Sequence, residues 1–229
     1  MKHEFDKDYW EHHWKEGREA QPKTPGQPVQ PGMEGKPGPG GQVGPEQPNP
    51  YLSRETAGLT PGTALDAGCG TGAEALWLAA HGWQVTGADI SQTALDQAAA
   101  RAAAQELDGQ VTWVEADLVS WQPGHQFDLV TTHYAHPAIP QLAFYRRVAQ
   151  WVAPGGTLLV VGHRHDGGSA GHGEHPPAEA TVTVADVASV LDPARWRIDT
   201  AEEQMRTVLG PDGTAHALND VVVRATRIS

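Results

Sequence analysis

Three glycines and a carboxylate stand close together in the stretch Asp66-Ala-Gly-Cys-Gly-Thr-Gly72. An apolar run precedes Asp66, and residues 73–81 have the composition of a helix. Glycine is favoured where the backbone turns sharply and where no Cβ can stand between the main chain and a ligand. A helix that starts at such a turn directs its N-terminal amide groups toward the same place. The pattern therefore predicts a site for a nucleotide-like ligand between a strand and a helix.

Two further carboxylates follow short apolar runs. Asp89 comes about 20 residues after the glycine turn, where a carboxylate can accept hydrogen bonds from a ribose diol. Asp117 follows the third run beside Leu118, and this pair suits the amino group and the face of an adenine ring. The glycine turn and Asp89 by themselves also fit a nicotinamide-dependent dehydrogenase, so these first signals leave that class open.

These motifs stand in the order that one enzyme family uses. Together with the segments Phe127–Thr132 and Val152–Leu159, the turn and the carboxylates resemble the motifs of class I S-adenosylmethionine-dependent methyltransferases. The resemblance covers residues 51–165, and it depends on five motifs in order because no single one would suffice. It implies methyl transfer from S-adenosylmethionine to a small-molecule acceptor.

The resemblance also assigns cofactor roles to residues of the turn and of the strand ends. The glycines admit the methionine and ribose portions, and Asp89 binds the ribose hydroxyls. Cys69 is expected to be a small turn residue beside the ligand and not a nucleophile, because no base is adjacent in sequence. The predicted cofactor-binding residues are Asp66, Gly68, Cys69, Gly70, Gly72, Asp89, Ile90, Asp117, Leu118, Thr132 and His133.

Histidines after the fourth predicted strand are the candidate catalytic groups. Methyl transfer is an in-line displacement that relies on alignment and desolvation, and it needs a general base only where the acceptor must lose a proton. Histidine titrates near neutral pH and suits that role. His133 and His136 are therefore predicted as catalytic residues, with a loop position that lacks ligand contact as the alternative for each.

A second group of histidines and acids follows the fifth predicted strand. Its members are His163, His165, Asp166, His172, Glu174 and His175. Such side chains can bind zinc, but their spacing fits no established zinc pattern and the intervening Gly-Gly-Ser-Ala-Gly is flexible. We therefore predict no metal site.

Strand-like and helix-like runs alternate through the centre of the chain. Ser91 suits the N-cap of the second helix, residues 140–152 have helical periodicity, and apolar runs at 126–132 and 156–162 predict two more strands. This alternation predicts ligands at the carboxyl ends of parallel strands, and a turn at 210–213 predicts an antiparallel hairpin. The expected fold is α/β, doubly wound and Rossmann-like, with a mostly parallel seven-stranded sheet, an antiparallel C-terminal hairpin and helices on both faces.

Composition divides the chain into three parts. Residues 20–50 hold nine prolines and seven glycines with almost no large apolar side chain, which predicts a flexible linker or loop. Residues 1–19 carry aromatic side chains at helical spacing, which predicts an amphipathic helix that either packs on the domain or acts as a lid. Residues 51–229 form the expected methyltransferase domain.

The charge of the chain limits its partners. The formal net charge is −12 at pH 7, and residues 51–229 carry twenty Asp or Glu, ten Arg and no Lys. Such a surface repels phosphate backbones and disfavours nucleic acid as a partner. No apolar run approaches the about 20 residues of a membrane span, and no signal-peptide pattern opens the chain. These features and the alanine-rich, lysine-free domain predict a cytoplasmic bacterial protein without a membrane partner.

Two alternatives to a small-molecule methyltransferase stay open at the level of sequence. One is an NAD(P)-dependent oxidoreductase, and the other is a non-catalytic S-adenosylmethionine-binding regulatory protein. The chain reads Thr132-His-Tyr-Ala-His-Pro137 where an Asn/Asp-Pro-Pro-Tyr/Phe motif would indicate an amino nitrogen acceptor, so that acceptor is disfavoured. The identity of the acceptor and the oligomeric state are not encoded in these motifs.

Overall fold

The computed structural model describes residues 5–19, 47–164, 180–209 and 215–229. Within them the helices are α1 Lys7–Glu19, α2 Pro50–Thr56, α3 Ala73–Ala80, α4 Gln92–Ala104, α5 Gln141–Ala149 and α6 Val184–Ser189. The strands are β1 Thr63–Ala67, β2 Gln84–Asp89, β3 Val111–Glu115, β4 Phe127–His133, β5 Val152–Arg164, β6 Thr181–Val182, β7 Trp196–Leu209 and β8 Ala215–Arg227.

Capping residues define where the helices begin. Ser91 accepts a hydrogen bond at 3.2 Å from the backbone of the first turn of the alanine-rich α4, as its residue type predicts. Thr183 and Asp186 form a reciprocal capping box at the start of α6. Asn49 caps α2, whose first residue is Pro50. The sequence analysis does not predict α2, because seven residues are too few to show a helical period.

The strands form one mixed sheet in the order β3-β2-β1-β4-β5-β8-β7, and β6 pairs with β5 off this path. The pairs from β3 to β5 and the β5–β6 pair are parallel. β8 runs antiparallel between β5 and β7. The predicted α/β sheet with antiparallel C-terminal strands is therefore confirmed, whereas the predicted turn at 210–213 lies outside the described residues. The sheet has eight strands where seven were predicted, because the two-residue β6 is too short to leave a sequence pattern.

The segment between α5 and β5 differs from the prediction. The apolar period predicts a helix to residue 152, but α5 ends at Ala149 and β5 begins at Val152. The backbone N–H of Phe127 donates to the carbonyl of Trp151 at 2.8 Å, and Val152 is in register with Phe127. Pairing with β4 therefore overrides the local helical period before the chain reaches Gly155.

Helices cover both faces of the sheet. α2, α3 and α4 pack against one face, and α5 and α6 pack against the other. The side chains of β4 alternate between the two faces. Leu129 packs in the core that α2, α3 and α4 cover, and Val130 packs in the core that α5 and α6 cover. A strand buried on both sides reads as a continuous apolar run, which is why β4 is recognisable from sequence.

The segments outside the central sheet are described in part. Of the predicted linker, residues 20–46 lie outside the described residues, and 47–50 lead into α2. Among the helices that are described, none combines the length and the apolar character that crossing a bilayer requires.

Candidate functional site

The glycine turn joins the carboxyl end of β1 to α3. Gly68, Gly70 and Gly72 have φ values of +79°, +49° and +78°, a region that side chains disfavour. The amide groups of Gly68 and Cys69 both donate to the carbonyl of Ala88, at 2.8 and 3.1 Å. The turn is thus tied to the end of β2, where the next carboxylate stands.

Asp89 holds the turn with its side chain. Its Oδ2 accepts from the backbone N–H of Gly70 at 2.8 Å, and its Oδ1 accepts from that of Ser91 at 2.9 Å. Burial raises the pKa of Asp89, although these backbone donors oppose the shift. Each oxygen keeps a second lone pair, so the carboxylate can still accept hydrogen bonds from a ligand.

A cavity of about 1030 Å³ opens beside the turn at the carboxyl ends of the strands. It brings together most of the predicted cofactor residues, namely Gly68, Cys69, Gly70, Asp89, Ile90, Asp117, Leu118 and His133. Asp66, Gly72 and Thr132 do not line it. The edge of the sheet thus gathers residues that are far apart in sequence, as expected for parallel strands.

Gly72 has a packing role next to the cavity. A Cβ on Gly72 would stand 2.6 Å from the indole of Trp113, and one on Gly87 would stand 2.5 Å from the same ring. Gly72 also forms the N-cap of α3 in a left-handed conformation. Because Gly72 has no side chain, the indole of Trp113 of β3 can pack against it. Gly72 therefore lies behind the residues that line the cavity.

Asp117 and Leu118 lie in the turn after β3. The carboxylate of Asp117 accepts from the backbone N–H of Val119 at 2.9 Å and from Ser120 Oγ at 3.0 Å. These bonds orient the carboxylate within its own turn, and both Asp117 and Leu118 line the cavity. Ile90 lines it from the end of β2.

The lining of the cavity is acidic. Among the described residues, the acids and bases that line it are Asp6, Glu74, Asp89, Glu115, Asp117, Lys7 and Arg206. Lys7 pairs with Glu115, and Arg206 pairs with the buried Asp220. The remaining carboxylates favour a ligand with positive charge.

Asp66 lies directly behind this acidic lining and is buried. Burial, followed by the nearby Glu74 and Asp89, raises the pKa of Asp66 well above its usual value. Its Oδ2 has no hydrogen-bond partner among the described residues. A protonated Asp66 can donate as well as accept, which suits a polar contact at the floor of the site.

Residues 64–156 match the family described as methyltransferase domain. Two curated plant relatives are "Probable thiol methyltransferase 2" of Arabidopsis thaliana, 29% identical over 153 residues, and "Thiocyanate methyltransferase 1" of Brassica oleracea, 30% identical over 155 residues. The alignments cover 64% and 65% of this chain and 65% of each relative. The chain therefore spans just under two thirds of the length of these relatives.

A solved structure with the same fold is magnesium protoporphyrin IX methyltransferase of Synechocystis PCC 6803 with bound S-adenosylmethionine. It aligns with a TM-score of 0.56 at 20% identity, over 77% of this chain and 74% of that chain. Residues 64–156 are a methyltransferase domain of the class I, S-adenosylmethionine-dependent type. The resemblance found in the motifs is confirmed, and S-adenosylmethionine is the cofactor. The nicotinamide-dependent alternative finds no support.

The cavity of this methyltransferase fits its cofactor in charge and in polar groups. S-adenosylmethionine carries a sulfonium and an ammonium, which the acidic lining complements. Several buried polar atoms at the strand ends have no partner among the described residues, namely Asp66 Oδ2, Thr132 Oγ1, His133 Nε2 and His136 Nδ1. Buried polar atoms are normally hydrogen-bonded, so His133 Nε2 and His136 Nδ1, whose residues line the cavity, are suited to contacts with bound ligands.

His133 is the predicted catalytic residue that lies deepest in the methyltransferase cavity. Its Nδ1 lies 3.3 Å from Thr131 Oγ1, and its Nε2 has no partner among the described residues. Burial lowers the pKa of His133, so the ring is neutral at pH 7. Thr132, the preceding residue of β4, points to the opposite face of the sheet, which explains why it does not line the cavity.

His136 lines the cavity, and His163 lies next to it. Their rings lie 5.5 Å apart, and His163 stacks on Tyr134 at 4.5 Å. Burial lowers the pKa of His136, and burial together with His136 lowers the pKa of His163 to about 4. His136 lines the cavity, as the prediction of a site residue requires.

The histidine and acid group at the end of β5 and beyond it is described in part. Of that histidine and acid group, His163 is described, and His165, Asp166, His172, Glu174 and His175 lie outside the described residues. In the described part of the chain, no group of three His, Cys, Asp or Glu side chains could hold a metal ion.

Cys69 is buried in the glycine turn. Burial, with the neighbouring Asp89 and Asp66, raises the pKa of the Cys69 thiol well above its usual value. A thiol that stays protonated is a poor nucleophile. The structure therefore agrees with a small packing residue beside the ligand.

Helix α1 lies across the mouth of the cavity. Phe5, just before α1, and Trp10 and Trp14 of the helix line the cavity, and a Cβ on Gly70 would stand 2.9 Å from the Trp14 ring. Trp10 Nε1 donates to the carbonyl of His136 at 3.3 Å. The helix thus bridges the glycine turn and the loop after β4.

Three residues that shape the far end of the cavity are not predicted from the sequence. Tyr134 and Arg206 line it, and Asp220 is buried beside them. Arg206 and Asp220 come from β7 and β8, more than forty residues after the last motif. A carboxylate directly before the apolar run Val221–Val223 is the one signal that could have marked this position.

Proposed function

We propose that this chain transfers the methyl group of S-adenosylmethionine to a small acceptor with a nucleophilic sulfur, such as a thiol or thiocyanate. The observation that carries the proposal is a single cavity with two chemically different ends. The glycine turn and its carboxylates lie at one end, and His133, His136 and Arg206 lie toward the other. The relatives named for thiol and thiocyanate substrates favour a sulfur acceptor.

The cofactor roles of individual residues are part of the proposal. The backbone of Gly68 and Gly70 approaches the methionine and ribose, and Asp89 accepts from the ribose hydroxyls. The adenine lies against Ile90 and Leu118, with its amino group toward Asp117. The lining positions and the free lone pairs of the two carboxylates support this assignment.

When bound, S-adenosylmethionine supplies a methyl group on a sulfonium, whose sulfur takes up the electron pair of the breaking bond. The residues of this chain then have to align the acceptor and exclude water. His133 is neutral near pH 7, with an unpartnered Nε2, so it is placed to accept a proton from a thiol or to orient an anion by donating. An acceptor that is already ionised needs no base.

The shape and charge of the site support a small acceptor over a nucleic acid. Helix α1 covers the cavity, which leaves little room for a polymer strand. The acidic balance of the chain opposes phosphate backbones. We further propose that α1 serves as the lid, as its contacts with the glycine turn and with His136 support.

Two measurements test the proposal. Calorimetry should show binding of S-adenosylmethionine and not of NAD, and a coupled assay should show release of S-adenosylhomocysteine with thiocyanate or hydrosulfide as acceptor. His133→Asn should lower turnover while the affinity for S-adenosylmethionine changes little. A cofactor-binding protein without release on any sulfur, oxygen or nitrogen acceptor would support the regulatory alternative and contradict an enzyme.

A further inference from the structure

A buried polar cluster stands at the far end of the cavity, where β7, β8 and the loop after β4 meet. Its centre is Asp220, whose side chain is fully buried. Asp220 Oδ1 accepts from the hydroxyl of Tyr134 at 2.8 Å, and Oδ2 accepts from Arg206 Nε at 2.6 Å. Arg206 Nη2 donates to the Tyr134 hydroxyl at 3.0 Å, and Asn49 Nδ2 donates to it at 3.1 Å.

This cluster is more elaborate than packing requires. Burying an ion pair costs desolvation energy, and well-packed apolar residues often serve stability as well. Tyr134 also adopts φ = +54°, a conformation that non-glycine residues rarely hold. Strain and buried charge of this kind concentrate at functional sites, where the surrounding contacts keep them in place.

Arg206 has a hydrogen-bond donor group that the cluster itself does not use. Nε and Nη2 are engaged with Asp220 and Tyr134, whereas Nη1 has no hydrogen-bond partner in the described part of the chain. The side chain lines the cavity and is 14% exposed. The other basic residue of the lining, Lys7, is paired with Glu115 at the end of β3. Arg206 is thus the cationic donor available to a ligand at this end.

We propose that Arg206 binds the methyl acceptor and selects an anionic one, with Asp220 and Tyr134 as positioning residues that aim its guanidinium into the cavity. This inference depends on the proposed methyl transfer. A guanidinium locked by two partners loses little entropy when it donates from Nη1, and hydrogen bonds from charged donors are the stronger ones.

The acidic lining explains why such a donor is needed. Glu74, Asp89 and Asp117 favour the cationic cofactor, but they oppose a second ligand with negative charge. Arg206 offers an anion a local donor set at the end that is remote from the turn. A thiolate or thiocyanate held there needs no proton removed before it reacts, so the role of Arg206 is recognition and alignment.

The test measures binding of thiocyanate to the full chain saturated with S-adenosylhomocysteine, by calorimetry. Arg206→Gln is expected to weaken thiocyanate binding by roughly tenfold or more, since one charged hydrogen bond is lost. The same variant should raise KM for thiocyanate with a smaller change in kcat, and leave the affinity for S-adenosylhomocysteine unchanged. Arg206→Lys, which keeps the charge beside Asp220, should recover part of the thiocyanate affinity.

Two further variants separate positioning from general stability. Tyr134→Phe keeps the ring but removes the hydroxyl, and it should raise KM for thiocyanate without affecting S-adenosylhomocysteine. Arg197→Gln is the matched control, because Arg197 is an exposed arginine of the same strand that pairs with Asp199.

Three outcomes would contradict this proposal, and a fourth would contradict the proposed function. Equal thiocyanate affinity in the wild type and both Arg206 variants overturns the proposal, and so does a wild type that binds S-adenosylhomocysteine but no thiocyanate. Loss of S-adenosylhomocysteine binding in Arg206→Lys would also overturn it, because Arg206 would then support the cofactor site. A wild type that binds neither S-adenosylmethionine nor S-adenosylhomocysteine would instead contradict the proposed function.

Discussion

At the scale of single residues, Asp89 combines a structural and a proposed binding role. Its two oxygens hold the backbone of Gly70 and of Ser91, so the carboxylate fixes both the glycine turn and the start of α4. The same oxygens face the cavity with their remaining lone pairs. Asp89 therefore links the conformation of the glycine turn to the proposed binding of the cofactor.

Substitution of Asp89 tests this coupling. Asp89→Asn keeps the size of the side chain but replaces one acceptor oxygen with a donor nitrogen. We expect the affinity for S-adenosylmethionine to fall by about 1–3 kcal/mol, because the ribose hydroxyls lose an acceptor and one backbone N–H is left unpaired. Calorimetry measures the change, with Asp96→Asn on the outer face of α4 as the control. Unchanged affinity would remove Asp89 from the cofactor site.

At the scale of elements, α1 is attached to the domain by a small number of polar contacts. Glu11 accepts hydrogen bonds from Ser91 Oγ at 3.1 Å and from the backbone N–H of Thr93 at 3.2 Å. Burial alone would raise the pKa of Glu11, but hydrogen bonds from Thr93, Ser91 and Lys15 lower it to about 2. The carboxylate therefore stays ionised at the first turn of α4, where negative charge is favoured.

Removal of this carboxylate should release the helix while the domain stays folded. We expect Glu11→Ala to lower methyl transfer several-fold, because water enters a cavity that α1 no longer covers. The melting temperature should change little, since the core clusters do not include α1. Limited proteolysis within residues 5–19 should become faster.

The matched control for this experiment is Glu16→Ala, on the same helix. Glu16 is exposed and pairs with His12, so its loss should leave both proteolysis and turnover unchanged. If Glu11→Ala retained full turnover while its α1 was cleaved rapidly, the lid proposal would be wrong.

At the scale of the whole molecule, the fold buries several neutral imidazoles around one cavity. His133, His136 and His163 all have lowered pKa values, mainly because of burial. A histidine whose pKa is lower in the folded than in the unfolded state binds fewer protons when folded. Its contribution to stability is therefore complete above the unfolded pKa of about 6.5 and is lost as the pH falls below that value.

The loss of stability at low pH that His163 causes is large enough to measure. With a folded pKa of about 4, protonation of the unfolded state at pH 5.5 costs about 1.4 kcal/mol of stability for this residue alone. Urea unfolding of His163→Phe should accordingly lose less stability between pH 7.5 and 5.5 than the wild type does. The difference between the two proteins isolates His163 from the buried carboxyls Asp66 and Asp89, which are common to both.

An exposed histidine supplies the comparison for this measurement. His125 lies on the surface, so His125→Gln is the control for the removal of an imidazole that is not buried. Identical pH slopes for the wild type and His163→Phe would show that His163 is not buried in a neutral state.

The parallel half of the fold and the cofactor end of the site are predictable because their signals are local. Gly68, Gly70 and Asp89 lie within one βαβ unit, and the backbone geometry of that unit requires their residue types. Ser91 caps α4 for the same local reason. β6 and α2 are not predictable, since elements of two and seven residues carry no period.

The sequence by itself indicated the cofactor site, the alternation of strands and helices along the chain and the carboxylates that follow the strands, because these features depend on residues that are close together in the chain. Only the tertiary structure assembled the proposed acceptor end of the cavity. It brought Arg206 and Asp220 of β7 and β8 to Tyr134, and α1 to the loop after β4, through contacts between residues 72 to 126 positions apart. Such contacts have no periodic signature, since they arise from the pairing of β5 with β8 and from the docking of a helix. Physical proximity at the sheet edge, and not spacing in sequence, defines the proposed site of methyl transfer.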